Sequence, residues 1–195
     1  MAGRSARTKS ANPKSRRAEI LAAAAELFAE RGYAATGIDQ IGAAAGITGG
    51  GVYRHFDSKL ELFREVVAPL VKRRATQLAV IAEETGSPKK VLRLLVDNMI
   101  DGVQEDRSIA AAVWRELRHL DVEGTSWFDR IHALHTREFV RTLLEIFPEL
   151  SKAEAEARTQ AFFGAAFTAA EVDSPLPRED LRRLLREAGL DILLC

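Results

Sequence analysis

The chain has 195 residues, 47% of them apolar, with 28 basic and 28 acidic side chains and no formal net charge. That length and composition support one sizeable core or two small ones and exclude a highly charged disordered chain. The longest apolar runs, Ile20 to Ala25 and Ile109 to Trp114, fall far short of the roughly 18 residues of a membrane span, so no membrane partner is expected.

No apolar stretch with a small-residue cleavage site opens the chain, and the single Cys195 has no internal disulfide partner. Both features give the expectation of a reducing, cytoplasmic setting. Residues 1–17 carry Arg4, Arg7, Lys9, Lys14, Arg16 and Arg17 and no acid, so the rest of the chain is net acidic. Such an arm is either a contact for a polyanion or a solvated tail. A transit peptide is also basic and acid-free, but this arm lacks an apolar face and runs directly into the first helix.

In chain order the pattern is helical throughout, with Gly and Pro as punctuation and no run of alternating β-branched residues, so an all-α fold of about nine helices is predicted. Asn12 and Pro13 cap and open a first helix, whose Ile20, Ala24, Leu27 and Phe28 share one face up to Gly32. Thr36 is read as the cap of a second short helix presenting Ile38, Ile41 and Ala45 and stopping at Gly46. Thr48 is read as the cap of a third, running through Val52 and Phe56. Three short helices with a glycine in the middle turn fit helix-turn-helix geometry, whose last member enters the major groove of DNA. A boundary near residue 58 is expected.

Beyond it the helices lengthen. One begins at Lys59 with Phe63, Val66, Val67, Leu70 and Val71 on one stripe and a kink expected at Pro69. Ser87 and Pro88 open another, with Val91, Leu94, Leu95 and Met99 inward. Caps at Ser108, Ser126 and Ser151, and Pro177 in a first turn, predict helices near 108–121, 126–147, 151–172 and 177–188.

The stretch "GITGGGVYRHFDSK", residues 46–59, raises a choice between a phosphate-binding loop and a DNA-reading helix. A dinucleotide fingerprint needs G-x-G-x-x-G after a strand, and a Walker loop needs Gly-Lys-Ser/Thr at its end. Here the glycines follow a helix, and Gly51 precedes Val52 and Tyr53. Tyr53 and His55 can donate to phosphate oxygens, and Lys59 places a cation at a helix start that already favours anions. Val52 and Phe56 are assigned to the core.

Residues Arg17 to about Leu62 resemble the DNA-binding domain of the tetracycline repressor (TetR) family of bacterial regulators. The likeness rests on "ILAAAAELFAERGYAAT", Ile41, Ala45-Gly46-Ile47-Thr48, Val52-Tyr53-x-His55-Phe56, and Ser58-Lys59 with Leu62. The resemblance implies that Tyr53, His55 and Lys59 hold backbone phosphates, with Thr36, Thr48, Gly49 and Gly51 also at the DNA surface. Gly37, Gly42 and Leu60 depart from the usual pattern, and Gly49-Gly50-Gly51 stands where at least one side chain usually reaches a base edge. Base readout then falls to Arg54 and Thr48, with Arg4 and Arg7 as candidates for a minor groove.

The resemblance also implies that 59–195 form a ligand-binding and dimerisation domain, with the last two helices pairing between copies. Ala153 to Ala170, with Phe162, Phe163, Gly164 and Phe167, and Leu181, Leu184 and Leu185 suit such a bundle, with an ordinary internal core as the alternative. The segment "WRELRHLDVEGTSWFDRIHALH" gathers Trp114, Arg115, His119, Trp127, Phe128, His132 and His135. Aromatic walls with a few polar groups suit a pocket for an unknown, mostly apolar small-molecule effector. His132 and His135 with His119 could start a metal site, but no further ligand motif completes one, so neither metal nor cofactor is assigned.

The function expected is a ligand-responsive, homodimeric transcriptional regulator, a repressor released from a palindromic double-stranded operator, with Pro69's helix linking sensor to reader. The alternatives are a DNA-binding protein without a small-molecule ligand and a hydrolase. The second lacks any Gly-x-Ser-x-Gly elbow or metal quartet, so no catalytic residue is named.

Overall fold

In the computed structural model the backbone is described for residues 13–105, 107–119 and 126–195, and the side chains for 15–105, 107–114 and 132–195. Among the described residues the chain is all-α, with nine helices: α1 Pro13–Ala35, α2 Ile38–Ala44, α3 Gly49–Val52, α4 Lys59–Ala82, α5 Pro88–Glu105, α6 Arg107–His119, α7 Ser126–Ile146, α8 Lys152–Glu171 and α9 Arg178–Leu194.

Gly32 interrupts α1 at φ 80°, in the left-handed region that only glycine enters without strain. The chain then turns into α2, whose N-cap is Gly37 rather than Thr36. The Gly37 N–H donates to Gln40 Oε1 at 2.9 Å, while Thr36 is fully buried with its hydroxyl 2.7 Å from the Gly32 carbonyl and 3.1 Å from that of Leu27. Gly46, at φ 69°, turns the chain from α2 into α3, and Thr48 caps α3 by accepting from the Gly51 N–H. The helix is shorter than expected. It spans four residues, and Tyr53 to His55 form a turn closed by Phe56 N–H to Val52 O.

Ser58 caps α4, which runs as one helix across Pro69. Its first turns belong to the reader, because Leu62, Phe63 and Val67 share a buried cluster with Ile20, Ala24, Phe28, Ile41, Val52 and Phe56. Ala112 and Val113 of α6 join the same cluster, so the N-terminal core runs across residue 58 into two body helices. Phe28, Tyr33 and Phe63 pack as a ring triad 4.8–5.6 Å apart. Burial of rings of this size is the main local source of stability.

The body core surrounds α5, whose Val91, Leu92, Leu95, Val96, Met99 and Ile100 meet Phe139 and Leu143 of α7, Phe162 and Phe163 of α8, and Leu193 of α9. Several helix limits differ from expectation, most usefully those of α6 and α9. Helix α6 starts one residue before Ser108, and α9 continues through Gly189 to Leu194 instead of stopping near 188. Gly189 faces the ring of Phe162, and a Cβ there would lie 2.5 Å from that ring, so the glycine permits close helix approach and does not end the helix.

Candidate nucleic-acid interface and sensor cavity

The three short helices α1 to α3 sort the candidate residues by which way α3 faces. Val52 and Phe56 point inward, as assigned. Gly49 and Gly51 are also buried, which corrects their placement at the outer surface: a Cβ on Gly49 would strike the Asp39 carboxylate, and one on Gly51 would meet Ile47 at 3.3 Å. Gly50 alone of the three is exposed, with no atom within 4 Å of a Cβ. Thr36 is likewise withdrawn from the surface by its two carbonyl partners, so its part is to hold the turn between α1 and α2.

The exposed face comprises Thr48, Gly50, Tyr53 and Arg54, with Tyr53 half-exposed at 53% and His55 partly covered beside it. Lys59 sits 4.3 Å over the Tyr33 ring, with its Nζ 3.5 Å from the Ala34 carbonyl, so this cation is held at the junction of α1 and α4. Cation–π seating of this kind positions a charge without neutralising it. Two arginines of the basic arm serve inside the fold. Arg16 donates to the Ala45 carbonyl at 3.1 Å, and Arg17 forms a two-pronged pair with Glu65 while lying 4.4 Å from the Phe56 ring. Donation of its hydrogen bonds to the Glu65 carboxylate raises the Arg17 pKa above its ordinary value, so the pin stays charged. Arg4 and Arg7 lie outside the described residues.

Next to the reader core the body holds a half-open cavity of ≈ 120 Å³, lined by apolar residues of α4, α5, α6 and α8, among them Val67, Leu70, Met99, Val113, Phe163 and Phe167. Its polar members are Arg74, Asn98, His132 and His135. Of the expected pocket residues, His135 lines the cavity, and Trp114 stands behind its wall, stacked 4.6 Å from Phe167 with the rings 3° from parallel. His132 also lines it, set edge-on to Phe163 at 5.4 Å. The side chains of Arg115, His119, Trp127 and Phe128 lie outside the described ones. Among the described residues no three His, Cys, Asp or Glu groups converge as a metal site.

The sequence reading missed the α4 and α5 walls. Their Val, Leu and Met residues read as ordinary helix stripe, and only tertiary packing leaves a gap between them. One hint was Gly102 in the last turn of α5, where a Cβ would lie 3.0 Å from Arg74 Nε.

Residues 20–66 match the family model described as bacterial regulatory proteins, tetR family. The chain is 35% identical over 91 residues to the HTH-type transcriptional activator FasR of Mycolicibacterium smegmatis, a match covering 47% of this chain and 42% of that protein. It is 34% identical over 105 residues to the HTH-type transcriptional repressor KstR2 of Rhodococcus jostii, covering 54% and 52%. These matches span about half the length of the curated relatives. The fold of the ketosteroid transcriptional regulator KstR2 of Mycobacterium tuberculosis superposes with a TM-score of 0.73 at 21% identity, covering 96% of this chain and 95% of that one.

Proposed function

From the match of residues 20–66 to the model of bacterial regulatory proteins, tetR family, we propose that the chain is a ligand-responsive transcriptional regulator of that family acting as a homodimer on a palindromic operator. In this reading Tyr53, His55 and Lys59 hold phosphates of the duplex and Thr48 and Arg54 face base edges. Arg4 and Arg7 reach an adjacent minor groove, and Gly50 lets the α3 backbone come close to the DNA. Two readers are needed because one four-residue helix offers few contacts. Symmetry spaces them by about one helical turn, ~34–36 Å, or a multiple of it.

The partner surface is assigned to α8, α9 and the loop between them, where Val172, Leu176, Leu184 and Leu194 are exposed and Gly164 has open space around it. Exposed apolar side chains along neighbouring segments are a usual mark of an oligomer face. A soluble, DNA-binding role assigns the protein to the cytoplasm, and no described helix is long and apolar enough to cross a membrane.

The observation that carries the regulatory part is double membership. Val67 of α4 and Val113 of α6 line the cavity and also belong to the reader core. A small, mostly apolar effector entering the cavity pushes on the same side chains that seat α1 and α3. Reader separation then depends on occupancy, and operator affinity falls through differential affinity for two states. The relatives are named an activator and a repressor, so release from the operator is argued from this packing alone.

Selection of bound duplexes from a random library at several salt concentrations tests the proposal. A palindromic motif with a steep salt slope supports a dimeric sequence reader. Recovery of no motif refutes sequence-specific regulation, and a motif whose binding no apolar compound shifts refutes the effector.

A further inference from the structure

The four residues of α3 present no side chain to a DNA groove, since Gly49, Gly50 and Gly51 have none and Val52 is fully buried. Base readout at this helix therefore falls to residues that flank it in the chain or in space. Thr48 has its hydroxyl oxygen engaged as the α3 cap, accepting from the Gly51 N–H at 3.1 Å, and keeps only its O–H to offer. Arg54 lies beyond the other end of the helix.

Asp39 of α2 supplies what the first position of α3 lacks. It is exposed, and its Oδ1 stands where a Cβ on residue 49 would, with its Cγ 3.1 Å from that point. The carboxylate thus occupies the space in which a side chain of residue 49 would begin, and the glycine there makes room for it. Among the described residues no cation or hydrogen-bond donor is paired with this carboxylate. An acid in the first turn of α2 also suits that helix's dipole, which is the competing, purely local account of the residue.

A helix-turn-helix reader enters the major groove with the N-terminal residues of its last helix at the base edges. A group held against the first residue of that helix is carried to the same place. A carboxylate is repelled by the phosphates and has acceptors only. On the major-groove edge cytosine shows its N4 donor with no acceptor beside it, whereas adenine sets the N6 donor next to the N7 acceptor, and guanine and thymine offer acceptors alone. We propose that Asp39 is a specificity-determining residue of the reader, its carboxylate accepting from cytosine N4–H at one position of each operator half-site. The reading group at the first turn of α3 is then delivered from α2. The inference rests on the proposed function in taking α3 to enter the groove.

The test compares the duplexes selected from a random library by the full-length protein, by Asp39→Asn and by Asp39→Ala. Fluorescence anisotropy on the selected operator and its single-base variants follows. The unmodified protein is expected to select cytosine at one position in each half-site, the two related by the operator's symmetry. Asp39→Asn turns that position to adenine, whose N6 and N7 match an amide, and Asp39→Ala leaves it without preference, the other positions being kept. Replacing the cytosine weakens binding of the unmodified protein about five- to tenfold and that of Asp39→Ala less than about twofold.

Three identical motifs overturn the assignment of Asp39 and leave the regulator reading standing. So does a uniform change in affinity or melting temperature with the motif kept, which is what a helix-dipole or purely electrostatic role produces. A base other than cytosine at the position that Asp39→Ala relaxes overturns the cytosine pairing. If the unmodified protein selects no motif, sequence-specific regulation itself is refuted and this inference with it.

Discussion

Replacing Gly50 by alanine separates two consequences of an exposed glycine in the reading helix. The position is the middle of the three glycines of α3, and a Cβ there meets no atom within 4 Å. Alanine in a helix is favoured over glycine by about 0.5–1 kcal/mol, and the gain lies at the lower end because α3 is only four residues long. For a chain of 195 residues this raises the melting temperature by about 1–4 °C. Operator affinity should move the opposite way. If the α3 backbone presses on the duplex at Gly50, the added methyl separates the surfaces, and a tenfold weakening corresponds to ~1.4 kcal/mol. Circular dichroism melts and fluorescence anisotropy with the selected operator give the two readouts. Gly46→Ala is the control for backbone strain, since φ 69° places a side chain in the left-handed region at a cost of about 1–2 kcal/mol. A lower melting temperature for Gly50→Ala refutes the open-helix reasoning, and unchanged operator affinity refutes the close approach.

Thr36→Val removes the buried hydroxyl that serves the Gly32 and Leu27 carbonyls, and a loss of about 1–2 kcal/mol is expected in chemical denaturation, largely recovered in Thr36→Ser. Gly189→Ala drives a methyl to 2.5 Å from the Phe162 ring, which is itself enclosed by Phe139 and Phe163. Overpacking of about 1–3 kcal/mol outweighs the helical gain of about 1 kcal/mol, and pairing it with Phe162→Leu should recover at least ~0.5 kcal/mol relative to additivity in a double-mutant cycle. The Ser151 hydroxyl and backbone N–H hold the Glu154 carboxylate pKa below its ordinary value. A lowered native value means that the unfolded chain binds more protons. The capping box therefore stabilises fully above the ordinary glutamate range, and its contribution is lost as pH falls below about 4.3 and through the native value. Unfolding followed from pH 7 to pH 3 should show Glu154→Gln losing less stability than the unmodified chain.

Helical periodicity, caps and glycine stops were enough to foresee an all-α chain and most helix limits, because these depend on side chains within a turn or two of each other. Ser58, Thr48 and Ser151 cap as local chemistry dictates. The inward assignment of Val52 and Phe56 was legible for the same reason. Misreadings arose where a residue serves a neighbour distant in the chain or facing it across a turn. The last helix was expected to end near 188 but continues through Gly189, a packing glycine against Phe162. Thr36 looked like a surface cap and is buried under α1, and two of the three consecutive glycines turn inward toward Asp39 and Ile47.

The cavity belongs wholly to tertiary structure. Arg74, Gly102 and Val113 lie on three helices, and no spacing along the chain announces that they border one space. A stripe of apolar residues tells that a helix buries a face. Whether the buried faces close on each other or leave a gap is decided by how the helices cross, a geometry set by the whole packed assembly and by no segment of it.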